Sequence, residues 1–336
     1  MKKVSPVVFV VFAVLVLFIG QASAAPPGVS FQFVEGLSKG NHELDCKVIR
    51  PWSAKSGPPA NRKFPVIAWA NGWSPDAELP GSLPTIDGYE PGLIDWALDG
   101  PYIVIAANAW SARESDVLLC LQWLVDQNDP NTADSSEYVD VVDTAKLGLA
   151  GHSQGGGAVI KAGDGGAKGF DFNFDITATI PMNPFGPDWV DPGNQDGPMM
   201  LLGGTDDTTT PVSGLVWSFE EVWDAINVND QGGLLAVVDG GTHNDQAWGP
   251  ADPDTGATLT TEAASEFNFG EYQGVTELWW QIFLNDNVQK VAKLKRLLGR
   301  TPWTKFDSAN FPGFTEVGTL FTCTEEPANF KLFDGC

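Results

Sequence analysis

Apolar residues along this chain fall into two recurring patterns. Short unbroken apolar runs occur at residues 64–70 (FPVIAWA), 102–107 (YIVIAA), 146–150 (KLGLA), 176–180 (ITATI), 199–202 (MMLL) and 234–238 (LLAVV). Runs of this length, bounded by Gly, Pro, Asn and Asp, predict strands buried on both faces. Between them lie stretches with helical spacing, at residues 92–98, 114–126, 215–226 and 275–284. In residues 114–126 the apolar positions Val117, Leu118, Leu121, Leu124 and Val125 form one stripe, and residues 275–284 carry Trp279 and Trp280. Residues 25–59 are punctuated by Pro and Gly and predict no more than an edge strand near 46–49. Buried strands alternating with amphipathic helices predict an α/β chain with a mostly parallel sheet covered on both faces. No internal repeat or linker interrupts the pattern, so residues 25–336 are expected to form one domain.

In sheets of this kind, ligand sites form in the loops beyond the carboxyl ends of the strands. The loop after residue 150 reads Gly151-His152-Ser153-Gln154-Gly155, a G-x-S-x-G between a predicted strand and a small-residue helix. A serine forced onto so sharp a corner needs neighbours without Cβ atoms, and the corner lifts its hydroxyl clear of the sheet. Ser153 is therefore the candidate nucleophile. The Gln154 N–H falls at a helix N-terminus, where it can hold a developing oxyanion. A bare G-x-S-x-G also arises by chance in a chain with 37 Gly, so the strand and helix on either side are what give it weight.

A serine hydroxyl needs a base. The chain has three histidines. His42 has no strand before it in the predicted pattern, and His152 sits beside the serine with its ring directed elsewhere. His243, in Gly240-Gly241-Thr242-His243 after the strand at 234–238, is the remaining candidate. The base in turn needs a carboxylate. Asp206 and Asp207, after the strand at 199–202, both qualify, the other serving as a turn residue.

The N-terminus changes the picture of where the chain works. Lys2 and Lys3, an apolar run at 7–19 and Ala22-Ser23-Ala24 have the form of a secretory signal peptide cleaved after Ala24, with a core too short to span a bilayer. A secreted protein, extracellular or periplasmic, is expected. The even count of four cysteines then argues for two disulfides, with three possible connectivities. Cys323 and Cys336 are close in sequence and would tie down the C-terminal tail, leaving Cys46 with Cys120. The formal net charge of −24 repels nucleic acid and anionic membranes and favours a neutral or cationic substrate. No cysteine spacing points to zinc. Asp252, Asp254 and Glu262 lack the glycine placement of an EF-hand, so no metal and no cofactor are expected. The basic stretch 290–300 reads as a solvated helix face.

Residues 142–157, VDTAKLGLAGHSQGGG, closely resemble the corresponding region of bacterial cutinases and PET hydrolases, and more loosely the wider dienelactone-hydrolase-like group. That family has a similar V-D-T-A-R-x-G-x-x-G-H-S-x-G-G-G run. Its acid loop, D-x-x-x-P-V, matches Asp207-Thr208-Thr209-Thr210-Pro211-Val212 and selects Asp207. Its G-x-H matches Gly241-Thr242-His243. The resemblance implies the α/β-hydrolase fold and a Ser153–His243–Asp207 ester hydrolase. It also implies oxyanion donors at the backbone of Trp73 and Gln154, a substrate-clamping aromatic at Phe185 in Pro181-Met182-Asn183-Pro184-Phe185, and a Cys323–Cys336 disulfide. The likeness spans residues 64–284 as a pattern and is close only around Ser153. Gln154 stands where the family usually has Met and Phe185 where it often has Trp. The 248–269 loop is longer, and the surface is acidic where the family's is often basic.

The expected protein is a secreted monomeric hydrolase acting on an ester or polyester, with no nucleic-acid partner and no membrane contact after cleavage. The alternatives are a small-molecule or carbohydrate-ester esterase, and a non-catalytic binding protein on a hydrolase scaffold.

Overall fold

A computed structural model describes residues 28–300 apart from 40–41, 73–85, 87, 110–111, 132–135, 164–173, 186–195, 213–232, 244 and 246–265. The expected helix at 215–226, the leader, and Cys323 and Cys336 lie outside the described residues.

Eight described strands form one mixed sheet in the order β1-β2-β4-β3-β5-β6-β7-β8. They are β1 Ser30–Lys39, β2 His42–Arg50, β3 Phe64–Ala70, β4 Ile103–Ala107, β5 Val142–His152, β6 Ala178–Met182, β7 Met199–Gly204 and β8 Gly233–Val238. The pairs β1/β2 and β2/β4 are antiparallel, and every other pair is parallel. The described helices are α1 Glu90–Asp99, α2 Glu114–Asn128, α3 Gln154–Ala162, α4 Glu266–Phe283 and α5 Val291–Leu298.

The six buried runs became the six strands β3 to β8. Alternate side chains on each point to opposite faces. Val66, Ala68 and Ala70 of β3 pack with Val117, Leu118 and Leu121 of α2 and Val159 of α3. Ile67 and Trp69 of the same strand pack with Leu93 and Trp96 of α1 and Trp280 of α4. Such strands look continuously apolar because both faces are covered, and each large aliphatic side chain fully buried contributes roughly 1.5–3 kcal/mol. On the second face Trp96 stands edge-on to Trp280, with ring centroids 5.8 Å apart. Gly148 of β5 is glycine there because a Cβ would come within 2.8 Å of the Trp280 ring.

The expected edge strand is an interior one. Cys46 of β2 pairs with Val34 on one side and Ala107 on the other. The true edge is β1, SFQFVEGLSK, whose polar residues and bulge between Val34 and Leu37 hide it from a search for apolar runs. Cys46 and Cys120 form a disulfide across 74 residues that fastens β2 to α2, as the pairing by sequence proximity expected. Lys47, buried on β2, pairs with Glu90 of α1 at 2.6 Å.

Strand order carries the functional consequence. From β3 the chain moves to β4 on one side, then crosses back to β5 on the other. The sheet therefore reverses its winding between β3 and β5, and in open α/β sheets ligand sites form beyond the carboxyl ends of the strands at such a reversal.

Candidate active site

At that reversal β5 ends in His152, the chain turns at Ser153, and α3 begins at Gln154. Ser153 has φ 55° and ψ −121°, a region a non-glycine residue enters only under constraint. The surroundings supply that constraint. Its N–H donates to the Met182 carbonyl at 3.0 Å, and its carbonyl accepts the N–H groups of Gly157 at 3.1 Å and Phe185 at 2.8 Å. A Cβ on Gly155 would strike the Ala70 carbonyl of β3, and one on Gly151 would strike the Gly155 carbonyl. The helix can start this close to the sheet only with glycine at both positions. Gly72, just after the neighbouring strand β3, comes so close that a Cβ on it would lie 2.9 Å from that of Ser153.

β7 and β8 are neighbours, so the loops after them meet. Asp207 follows β7 and is buried, whereas Asp206 is exposed. His243 follows β8 after Gly240, whose φ of 75° makes the turn. His243 Nδ1 lies 2.8 Å from Asp207 Oδ2, and His243 Nε2 lies 3.0 Å from Ser153 Oγ. An ionised carboxylate only accepts, so Nδ1 carries the proton and the Nε2 lone pair faces the serine hydroxyl. The structure thus brings Ser153, His243 and Asp207 into one hydrogen-bonded line and leaves Asp206 out of it.

Asp207 is held from every side. Its Oδ1 accepts the N–H of Thr209 at 2.8 Å and of Thr210 at 2.7 Å. Its Oδ2 accepts the Thr210 hydroxyl at 2.6 Å and the Asn183 amide, besides His243. Burial alone would raise this carboxyl, but the hydrogen bonds from His243 and Thr210 outweigh it and hold the group below the usual carboxylate range. A carboxylate so satisfied stays ionised and fixed.

The other expected residues are placed as follows. Gln154 opens α3 directly after the serine, in its first turn at the positive end of the helix. Trp73 lies outside the described residues. Its neighbour Gly72 gives its own N–H to the Tyr89 hydroxyl at 3.3 Å. Phe185, 43% exposed, sits where its backbone N–H reaches the serine carbonyl. Most of the 248–269 loop lies outside the described residues. Among the described residues no group of three or more His, Cys, Asp or Glu is placed to hold a metal ion, and no helix is long and apolar enough to cross a membrane.

Four residues of this neighbourhood had no sequence assignment as part of the site: Asn183, Thr210, Tyr89 and His152. Asn183 is buried with φ 41°, its N–H on the Leu202 carbonyl at 2.8 Å. The one signal for Thr210 is its place three residues after Asp207, the spacing of a self-capped turn. His152 is fully buried between Tyr89 and the His243 backbone. A bulky polar residue inside an otherwise small-residue corner was the only hint of it.

Compared with known families and curated proteins, the chain matches no family model and no curated protein.

Proposed function

We propose that the chain is a serine hydrolase of the α/β-hydrolase fold that cleaves carboxylic esters through an acyl-enzyme. One observation carries the reading: a serine at positive φ on a strand-to-helix corner, in line with a histidine at 3.0 Å whose other nitrogen is 2.8 Å from a buried carboxylate. Strain of this kind costs on the order of 1–3 kcal/mol and persists where the surroundings over-determine it, often at a site of chemistry.

The route follows from the geometry. As the Ser153 Oγ–carbon bond forms, His243 Nε2 takes the hydroxyl proton and the carbonyl electron pair moves onto oxygen. The Gln154 N–H, and the Trp73 N–H that the family resemblance implies, hold that oxyanion. The bond to the leaving alkoxide then breaks, and His243 returns the proton to it. Water attacks the acyl-enzyme by the same path, giving a carboxylic acid and free Ser153. Asp207 remains ionised and keeps the proton of His243 on Nδ1. The chemistry calls for no cofactor.

The substrate reading is a neutral ester, with a polyester of the kind cutinase-like enzymes attack as the first choice. The polyester choice rests on the residue-by-residue likeness around Ser153 and on the exposed Phe185, and the acidic charge of the chain fits a neutral ester rather than an anionic one. The long 248–269 stretch favours a second choice, small or carbohydrate esters in a narrower cleft. The leader-like N-terminus and the Cys46–Cys120 disulfide support a site of action outside the cytoplasm.

The test is hydrolysis of p-nitrophenyl esters of rising acyl length and of an aromatic polyester film, by the wild type beside Ser153→Ala. Loss of about 10³-fold or more in the variant is expected. Film release supports the polyesterase reading, and short esters alone the second. Failure of a fluorophosphonate to label Ser153 would overturn the hydrolase reading.

A further inference from the structure

The residue before the nucleophile takes no part in the mechanism above, yet both nitrogens of its buried ring are hydrogen-bonded. His152 Nε2 lies 2.6 Å from the His243 carbonyl oxygen, and His152 Nδ1 lies 2.8 Å from the Tyr89 hydroxyl. That hydroxyl lies 3.3 Å from the Gly72 N. The donors in this chain have one consistent order. A carbonyl only accepts, so His152 Nε2 must carry the proton and donate it to His243 O. Nδ1 is then a lone pair and accepts the Tyr89 O–H, whose oxygen accepts the Gly72 N–H. Burial, then the nearby His243, pushes the His152 imidazole down to about 3, so the ring stays neutral as this order requires.

The three points so joined lie at the carboxyl ends of three strands: residue 72 beyond β3, residue 152 as the last of β5, and residue 243 beyond β8. The two rings also pack, His152 tilted against His243 with centroids 4.8 Å apart. Tyr89 is itself seated on Trp69, with centroids 4.9 Å apart, so the far end of the chain is anchored in the core.

Building on the proposed serine hydrolysis, we propose that His152 is a positioning residue: through its Nε2–H bond to the His243 carbonyl and its Tyr89-mediated bond to Gly72, it sets the base and the oxyanion-side loop against Ser153. A backbone carbonyl held at 2.6 Å fixes where the His243 side chain starts. That leaves Asp207 to fix only its rotation. Misplacement of a catalytic group by 1 Å costs about 100-fold, so the effect should appear in turnover rather than in substrate affinity.

Three variants separate this from a packing role. His152→Phe keeps a flat ring and loses both bonds. His152→Gln keeps a donor near the position of Nε2. Tyr89→Phe removes only the hydroxyl. Expected are a fall in kcat of about 10- to 100-fold in H152F with KM within about 2-fold, recovery of most of it in H152Q, and a smaller fall in Y89F. A second readout needs no substrate: the downfield proton resonance of the His243 Nδ1–H···Asp207 bond, present in wild type and H152Q, is expected to shift or broaden in H152F and Y89F. The resonance tests the positioning even if Ser153 proves not to be a nucleophile, and Y89F with H152Q decides it if H152F does not fold. Unchanged kcat and an unchanged resonance in folded H152F or Y89F would overturn the proposal. So would equal losses in H152Q and H152F.

Discussion

Asn183 donates its side-chain amide to Asp207 Oδ2, the same oxygen that accepts the His243 imidazole N–H. The two residues stand 24 positions apart and meet because β6 and β7 are adjacent. Thr210 completes the set from the other side. Removing one of several bonds to an ionised acceptor costs about 1.5–3 kcal/mol where the charge is buried. Asn183→Ala is expected to lower kcat by about 10-fold and to lower the denaturant midpoint as well. Asp207→Asn, which reverses the tautomer demand on His243, is expected to lower kcat by about 10³- to 10⁴-fold while leaving the fold intact. Steady-state kinetics beside circular dichroism checks both.

Ser153 is expected to be held against its own stability. At φ 55° and ψ −121° a glycine would sit without the Cβ penalty. Ser153→Gly should abolish ester hydrolysis and raise unfolding stability by about 1 kcal/mol, read from urea unfolding. An equal loss of stability would mean that the corner carries no strain.

Two glycines should behave differently on substitution by alanine. At Gly155 the new Cβ would meet backbone of β3, at Ala70, which has no room to yield. Gly155→Ala is expected to cost several kcal/mol, on the order of 3–5, or to prevent folding. At Gly240 nothing lies within 4 Å, and only the φ of 75° opposes a side chain. Gly240→Ala should cost about 1 kcal/mol. Thermal unfolding of the two variants side by side tests the contrast.

The Cys46–Cys120 bridge closes a long loop, which removes conformational entropy from the unfolded chain. Replacing both cysteines by serine is expected to cost about 4 kcal/mol. Intact mass before and after reduction, followed by denaturant unfolding of the variant, measures it.

Acid should weaken the fold in a window set partly by His152. Its pKa is lowered by burial first, and by His243 second, from 6.5 to about 3. The unfolded chain takes up this proton below about pH 6.5 and the folded chain does not. Between those values the unfolded state binds more protons, so stability falls as pH falls, at up to about 1.4 kcal/mol per pH unit. Asp207 acts in the same direction but lower, because its depressed pKa loses stability only as pH drops below its ordinary value. His152→Gln removes the upper window. Its urea midpoint should therefore fall less than that of the wild type between pH 7.5 and 4.5.

Much of this molecule was legible along the chain because its signals are local. A strand covered on both faces must be apolar at every position, so β3 to β8 appear as unbroken runs. A serine on a strand-to-helix corner needs glycine at both sides, and a histidine and an aspartate follow strands that point the same way. What stayed hidden depends on contacts between distant segments. The edge strand β1 has no apolar run, because pairing with β2 holds it in place. Gly148 is glycine because Trp280 comes to it from α4. The motif resemblance alone chose Asp207 over Asp206; in the structure the difference is that Asp207 is buried against His243 while Asp206 is exposed. The sequence by itself determined the alternation of strand and helix and the residue types available for chemistry. Only the tertiary structure decided that His152, Tyr89 and Asn183 belong to the site. A hydrogen bond depends on where two groups lie in space, and in the chain His152 is 91 residues from His243, Tyr89 63 from His152, and Asn183 24 from Asp207.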